Sequence, residues 1–135
     1  NKVKDALEFY GKNLGLTFQI ADDTLDYNSE LKLFGKEIGN DFFEGKVTLP
    51  IILLNQKANA DEKKDIKNSF LKSQRSESDF KSILGLIKKY DIINDCYLKA
   101  EYFIGLSSNS LSIFPDKKEK EILKKLTSFS LERNF

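Results

Sequence analysis

The sequence contains no histidine, methionine or tryptophan, only two prolines and a single cysteine, Cys96, among its 135 residues. One cysteine cannot form an internal disulfide, and a chain without histidine has neither a Cys/His zinc site nor a histidine-based catalytic triad. Any metal ion would therefore be bound by oxygen ligands. Because the chain opens with Asn1 and lacks methionine, we expect it to be a processed or truncated piece of a longer product.

Neither sign of charge is in excess, since 22 Lys and Arg residues stand against 21 Asp and Glu residues, giving a formal net charge of +1. A balanced surface lacks the basic field that is typical of proteins that bind nucleic acid or anionic membranes. The longest uncharged stretch, residues 102–115, is interrupted by Gly105 and falls short of the roughly 20 apolar residues of a membrane span. We therefore expect no nucleic-acid partner, no membrane span and a cytoplasmic location.

The scarcity of proline and glycine, with abundant Leu, Lys, Glu and Ile, favours helix throughout, and no strand-like alternation persists. The sequence therefore predicts an all-α chain of one domain. The first helix is expected over residues 2–27, followed by a loop over residues 28–48 that carries three glycines. Another helix should begin near Pro50, whose fixed φ suits a first helical position, and a later one near residues 94–95.

Capping patterns predict where the other helices begin. Ser76 and Asp79 form the S-x-x-D pattern of a capping box. Asp61 is expected to cap the helix before it, and Asp116 with Glu119 is expected to start the last helix.

The most informative stretch is residues 18–27. At 100° per residue, one stripe of a helix carries four polar side chains, namely Gln19, Asp22, Asp23 and Asp26. The opposite side carries Leu14, Phe18, Ala21 and Leu25. Carboxylates four residues apart repel by a few tenths of a kcal/mol, and Mg²⁺, which bridges carboxylate and phosphate oxygens, would remove that repulsion. A solvated acidic surface explains the same spacing.

Two Gly-Lys pairs follow in the loop, at residues 35–36 and 45–46. Glycine allows tight backbone turns, and the ammonium groups of Lys36 and Lys46 could neutralise a phosphate group. Glycine also marks ordinary turns, and lysine is common in this sequence. A P-loop is excluded because residues 39–45 have the wrong spacing and no strand precedes them.

Three motifs together carry a resemblance to a known family. They are F-Q-x-x-D-D-x-x-D-Y at residues 18–27, G-K-x-x-G-x-D at residues 35–41 and E-G-K-x-T-L-P at residues 44–50. The run resembles the C-terminal half of the trans-polyprenyl diphosphate synthases. The looser likeness of F-P-D-x-K-E-K-E-I-L and the closing L-E-R-N-F is similar to the long-chain members that make quinone side chains, such as octaprenyl diphosphate synthases.

The resemblance implies a partial isoprenoid-synthase helical bundle that carries the second aspartate-rich motif. Asp22, Asp23 and Asp26 match the motif that binds Mg²⁺ bridged to an allylic diphosphate. Lys36 matches the lysine that contacts this diphosphate, and Gln19 and Lys46 match further positions of the site. The resemblance thus implies catalytic roles for Lys36 and Gln19 and diphosphate-binding roles for Lys36, Lys46 and Gln19.

In such enzymes the allylic diphosphate condenses with isopentenyl diphosphate, and the enzyme is usually a homodimer. Residues 1–135 would form the C-terminal part of a single synthase domain, whose N-terminal half carries the first aspartate-rich motif. Because these residues hold only one D-D-x-x-D motif, we expect the chain alone to be inactive and to pair with the missing half.

Two alternatives stay open. The chain could come from a short-chain synthase that makes farnesyl or geranylgeranyl diphosphate with the same site. It could also be a non-catalytic helical subunit of a synthase, although a purely structural partner gains nothing from the carboxylates of Asp22, Asp23 and Asp26.

Overall fold

A computed structural model describes residues 1–35 and 37–134, with side chains at all of these positions except 32–34, 133 and 134. The described residues form helices and contain no strand, which confirms the all-α prediction. The α-helices are α1 (Lys2–Leu25), α2 (Asn40–Phe43), α3 (Leu49–Lys57), α4 (Ala60–Leu71), α5 (Glu77–Lys89), α6 (Ile92–Asn109) and α7 (Lys118–Asn134). Two 3₁₀ helices span Ser29–Phe34 and Ser110–Ile113.

Two predicted helix starts are confirmed. At α5, the Ser76 hydroxyl accepts the Asp79 N–H at 3.1 Å, and the Asp79 carboxylate accepts the Ser76 N–H at 2.8 Å. These two bonds satisfy donors that the first turn of a helix leaves without partners. At α3, Thr48 is the N-cap and Pro50 stands in the first turn.

Other predicted boundaries are wrong. Asn59, not Asp61, caps α4, since its side-chain oxygen accepts the Glu62 N–H at 2.9 Å. The last helix begins only at Lys118, and Asp116 accepts a bond from Lys120 at 3.0 Å. Helix α6 begins at Ile92, before the predicted residues 94–95.

The predicted loop 28–48 also differs, because it holds a 3₁₀ helix over Ser29–Phe34 and the short helix α2. Single helical turns such as these are too short to show a hydrophobic period in the sequence.

The chain divides into two compact units. The first comprises Asn1–Asp22 with Tyr97–Phe135, and the second comprises Asp23–Cys96. Within the first unit, hydroxyl groups join the helices: Ser107 donates to the Tyr10 carbonyl at 2.9 Å, and the Tyr10 hydroxyl donates to the Leu123 carbonyl at 2.8 Å. The short Ser107 side chain brings the backbone of α6 close to that of α1, whereas the longer Tyr10 side chain joins α1 to α7.

The second unit is organised around aromatic rings. The fully buried Phe42 of α2 lies 5.4 Å from both Phe70 of α4 and Phe80 of α5, measured between ring centroids. Phe43 completes the cluster at 5.6 Å from Phe42 and 5.3 Å from Phe80. Aromatic side chains bury large apolar areas, so this cluster anchors the four-residue helix α2, which is too short to be stable alone.

The buried face of α1 is more polar than predicted. Leu14 and Ala21 are buried as expected, but Phe18 is 42% exposed. Thr17 and Asn13 are buried instead, and the Thr17 hydroxyl donates to the Asn13 carbonyl at 3.1 Å. A hydroxyl satisfied by its own helix can be buried at little cost, which is why the apolar period misplaced Phe18.

Candidate functional site

The predicted acidic motif lies at the carboxyl end of α1. Asp22 and Asp23 stand in the last turn, and Asp26 follows directly after the helix ends at Leu25. No basic residue occupies that last turn. Negative side chains at a helix C-terminus oppose the helix dipole, so this arrangement costs helix stability. Such a cost is typical of a site that binds a cation.

The predicted site residues fall in both compact units. Asp23, Asp26 and Lys46 belong to the second unit, where contacts link them through Asp41. Gln19 and Asp22 belong to the first unit, and both side chains are exposed. Lys36 lies outside the described residues.

Asp41, to which the sequence analysis assigned no role, is a central residue of this cluster. Its backbone N–H donates to Oδ2 of Asp26 at 2.9 Å, although the two residues are 15 positions apart. Gly39 precedes α2 with φ of 93°, and a Cβ there would lie 2.7 Å from the Phe80 ring. Only glycine fits this position without displacing the ring, so Gly39 and Phe80 together set where Asp41 stands.

The Asp41 carboxyl group has an abnormal protonation equilibrium. Burial, the largest cause, together with a hydrogen bond with Asp26 and the charges of Asp26 and Asp23, raises the pKa from 3.8 to about 6. The positive charge of Lys46 opposes them. A perturbed carboxyl group within a cluster of like charges is typical of functional sites.

Tyr27 lies beside the same charges. Its side chain is 1% exposed, and its hydroxyl has no hydrogen-bond partner among the described residues. Burial raises the Tyr27 pKa above its ordinary value, and the charges of Asp41, Asp26 and Asp23 raise it further. The Tyr27 phenol therefore stays neutral and adds no further negative charge to the cluster.

A hydrogen bond fixes the backbone of Lys46, while its side chain extends into solvent. Its N–H donates to the Asp41 carbonyl at 2.8 Å, while its side chain is 61% exposed. The ammonium group pairs with Glu44 at 2.8 Å, and this bond raises the Lys46 pKa. An exposed pair of this kind contributes little stability, so the ammonium can exchange Glu44 for an anionic ligand.

The donor set of the second unit suits a divalent cation. Carboxylate oxygens from Asp23, Asp26 and Asp41 are the ligands that Mg²⁺ and Ca²⁺ prefer. Cys96 is buried, and its pKa is raised to about 11, so its thiol stays protonated and offers no thiolate ligand. Within residues 1–35 and 37–134, no three Asp, Glu, His or Cys side chains converge to hold one metal ion. The three carboxyl groups thus do not surround a single ion, but they supply the oxygen donors and the negative charge that a divalent cation would neutralise.

The sequence matches the model of a known protein family. The model of the polyprenyl synthetase family matches residues 1–87, well over half of the sequence. The chain belongs to the polyprenyl synthetase family. The resemblance drawn from the three motifs is thereby confirmed, and all three lie inside the matched residues.

Individual members of the polyprenyl synthetase family agree with this placement. Octaprenyl diphosphate synthase of Haemophilus influenzae is 28% identical over 130 residues, which cover 96% of this chain and 39% of that protein. Geranylgeranyl diphosphate synthase of Saccharolobus solfataricus is 32% identical over 98% of this chain and 42% of that protein. The chain therefore matches synthases named for a long-chain product, octaprenyl diphosphate, and synthases named for a shorter one, geranylgeranyl diphosphate.

A solved polyprenyl synthase has the same fold. The crystal structure of the Caulobacter crescentus enzyme, complexed with calcium and isoprenyl diphosphate, superposes with a TM-score of 0.85 and 33% identity. It covers 97% of this chain, and this chain spans 40% of that enzyme. The chain therefore spans about two fifths of the length of the relatives it matches. Among its described helices, none has the length and apolar composition needed to cross a membrane.

Proposed function

We propose that this chain carries part of the diphosphate site of a trans-prenyltransferase. The observation that carries the proposal is the Asp23, Asp26 and Asp41 cluster, in which desolvation and like charge raise the Asp41 pKa to about 6. Such a cluster gains stability when a cation binds, and a cation held there attracts a diphosphate. The calcium and isoprenyl diphosphate of the Caulobacter crescentus enzyme support this choice of ligand.

The proposed metal is Mg²⁺, with Asp22, Asp23 and Asp26 as the residues that hold it. When bound, Mg²⁺ supplies positive charge next to the diphosphate oxygens. Asp41 would act beside these residues, by fixing Asp26 through the 2.9 Å bond from its N–H.

In the proposed reaction, the C1–O bond of the allylic diphosphate breaks, and the diphosphate leaves with the electron pair. The double bond of isopentenyl diphosphate then attacks C1, and a proton is lost. Lys36, Lys46 and Gln19 would bind the departing diphosphate, which gains negative charge in the transition state. Preorganised positive charge at that point is the largest contribution that a protein makes to such a step.

We propose a long-chain all-trans polyprenyl diphosphate, destined for quinone side chains, as the product. The C-terminal likeness to long-chain synthases supports this product. Inactivating the gene should remove the quinone with the corresponding side chain from lipid extracts measured by mass spectrometry. Loss of farnesyl- or geranylgeranyl-derived lipids, with quinones intact, would instead identify a short-chain synthase.

We propose that the chain alone does not transfer prenyl groups and needs a polypeptide corresponding to the N-terminal part of its relatives. Its sequence has one D-D-x-x-D motif, whereas the mechanism implied by the family uses two that face each other. The purified chain with farnesyl diphosphate, isopentenyl diphosphate and Mg²⁺ should therefore form no longer product. Measurable elongation would contradict this proposal.

Calorimetric titration tests the site itself, with Mg²⁺ and inorganic pyrophosphate as probes. Asp26→Asn should weaken pyrophosphate binding by about tenfold or more, because a charged ligand of the metal is lost. Asp22→Ala and Lys36→Ala should also weaken it. Asp65→Asn is the matched control, since Asp65 is an exposed carboxylate of α4 in the same unit as Asp26. Equal binding by the four variants and the wild type would refute the site assignment.

A further inference from the structure

We propose that Arg75 is a positioning residue that sets the direction in which Lys46 leaves the backbone towards the diphosphate site. The inference rests on the proposed function, because it assigns Lys46 to diphosphate binding. Arg75 lies in the connection between α4 and α5, far along the chain from the three motifs. The hydrogen bonds of its guanidinium group lie within the second unit.

The guanidinium of Arg75 joins the ends of two helices. Its Nη1 donates to the carbonyls of Lys72 at 2.7 Å, Phe70 at 3.3 Å and Ser69 at 3.5 Å, which lie at the carboxyl end of α4. Its Nη2 donates to the carbonyl of Phe43 at 3.3 Å, the last residue of α2. The last carbonyls of a helix lack partners within the helix, and a planar guanidinium can serve two groups of them at once.

The turn after α2 rests directly on this guanidinium. Gly45 adopts φ of 75°, and a Cβ at Gly45 would lie 2.7 Å from Nη2 and 3.1 Å from Cζ of Arg75. The backbone therefore passes so close to the guanidinium that no other residue type fits without displacing it. Arg75 thus holds the turn on both sides, through the bond to Phe43 before it and through the contact with Gly45 inside it.

Lys46 is the next residue after this contact. Its N–H donates to the Asp41 carbonyl at 2.8 Å, and Asp41 donates its own N–H to Asp26 at 2.9 Å. The position of the turn therefore determines where the Lys46 side chain begins relative to the acidic cluster. Because that side chain is largely exposed and its ion pair with Glu44 contributes little stability, the backbone anchor is the main restriction on where the ammonium can reach. A residue that fixes the turn consequently acts on ligand binding through Lys46.

A double-mutant cycle on pyrophosphate binding tests this coupling. With Mg²⁺ present, Lys46→Ala and Arg75→Ala should each raise the dissociation constant by about tenfold, and the double variant should raise it no more than Lys46→Ala does. Arg75→Lys should not restore binding, because a single ammonium cannot join both helix ends. Equal effects of Arg75→Ala with and without Lys46 would overturn the proposal, since Arg75 would then act independently.

Amide hydrogen exchange gives a readout that needs no ligand. Arg75→Ala, and separately Gly45→Ala, should speed exchange of the Lys46 N–H by at least about tenfold, while the amides of α3 and α5 keep their rates. Unchanged exchange at Lys46 in both variants would also overturn the proposal. If the wild type binds no pyrophosphate, the proposed function fails, yet exchange at Lys46 still decides the role of Arg75.

Lys57→Ala is the matched control for both measurements. Lys57 is another cation of the second unit that donates to a helix-end carbonyl, that of Tyr90 at 3.2 Å, and it pairs with Asp95 at 2.6 Å. It has no role in the Gly45 turn. Its loss should leave pyrophosphate affinity and Lys46 exchange unchanged. Effects equal to those of Arg75→Ala would show a general loss of stability and contradict a specific positioning role.

Discussion

Glycine at position 39 connects backbone conformation with the position of the acidic cluster. Gly39 has φ of 93°, and a Cβ added at this position would lie only 2.7 Å from the Phe80 ring. Both constraints exclude an L side chain for different reasons, one through backbone strain and the other through steric overlap. The glycine of the G-x-D segment is therefore structural, and it acts on the site by placing Asp41.

Gly39→Ala should lower the free energy of unfolding by about 2 kcal/mol or more, from the left-handed backbone and the displaced ring. Chemical denaturation followed by circular dichroism measures the change. Gly85→Ala is the matched control, because a Cβ at this exposed helical position meets nothing within 4 Å. The free energy of unfolding of that variant should rise by about 0.5 to 1 kcal/mol. Equal effects at both positions would contradict the steric role of Gly39.

Asp41 makes the stability of the protein depend on pH in an uncommon direction. Its pKa in the folded chain is about 6, above the ordinary value of 3.8, so the folded state binds more protons than the unfolded state between these values. Stability from this group is therefore present at low pH and is lost as pH rises through about 6.

Asp41→Asn should remove this dependence. At pH 7.5 the variant should be more stable than the wild type by about 1 kcal/mol, once screening of a partly exposed group is allowed for, and the difference should vanish at a pH of about 3, below both pKa values. Thermal unfolding at both pH values, without added metal, measures it. A variant that is less stable than the wild type at pH 7.5 would show that the raised pKa does not govern stability.

At the scale of secondary-structure elements, side-chain contacts at a helix end help to fix where the helix begins. The capping box of α5 joins Ser76 and Asp79 through two bonds, and Lys72 pairs with the same Asp79 at 2.7 Å. These contacts lower the Asp79 pKa to about 2, with the bond from Lys72 as the largest cause. Helix α5 supplies Phe80 to the aromatic cluster, so its start bears on the position of α2.

Ser76→Ala should therefore lower the free energy of unfolding by about 1 kcal/mol, the usual cost of losing an N-cap hydroxyl. Ser82→Ala is the control within the same helix, because the Ser82 hydroxyl only donates to the Ser78 carbonyl one turn earlier at 3.1 Å. That substitution should be neutral or slightly stabilising, since alanine has the higher helix propensity. Urea unfolding of both variants measures the contrast, and equal losses would refute the capping role.

At the scale of the whole molecule, apolar side chains remain uncovered. On α7, Ile122 and Phe129 are each 55% exposed and Leu126 is 40% exposed, at spacings of four and three residues along one face. An exposed apolar stripe of this kind favours association with another protein surface.

We expect the purified chain to self-associate in sedimentation velocity experiments. Replacing both Ile122 and Phe129 by glutamate should weaken association by at least about tenfold, because burial of two large apolar side chains is lost. Leu71→Glu is the control, since Leu71 is a 72% exposed residue at the end of α4. A wild-type chain that sediments as a monodisperse monomer would contradict the expectation.

The sequence by itself determined the features that depend on neighbours along the chain. Helical propensity predicted the all-α fold, and the three-residue spacing of Ser76 and Asp79 predicted the start of α5, because both partners of these bonds lie within one turn. The three motifs likewise sufficed to place the chain in its family. Local patterns failed where two caps compete, as Asn59 and Asp61 do at α4.

Tertiary structure alone decided the contacts between distant positions. Asp41 meets Asp26 across 15 residues, and Arg75 reaches the Phe43 carbonyl across 32 residues. No helical or strand period relates such positions, so packing of the aromatic cluster had to bring them together. In the first unit, tertiary packing also decided which face of α1 is buried, because a hydroxyl bonded within its own helix, like that of Thr17, can enter a core that the apolar pattern assigned to Phe18.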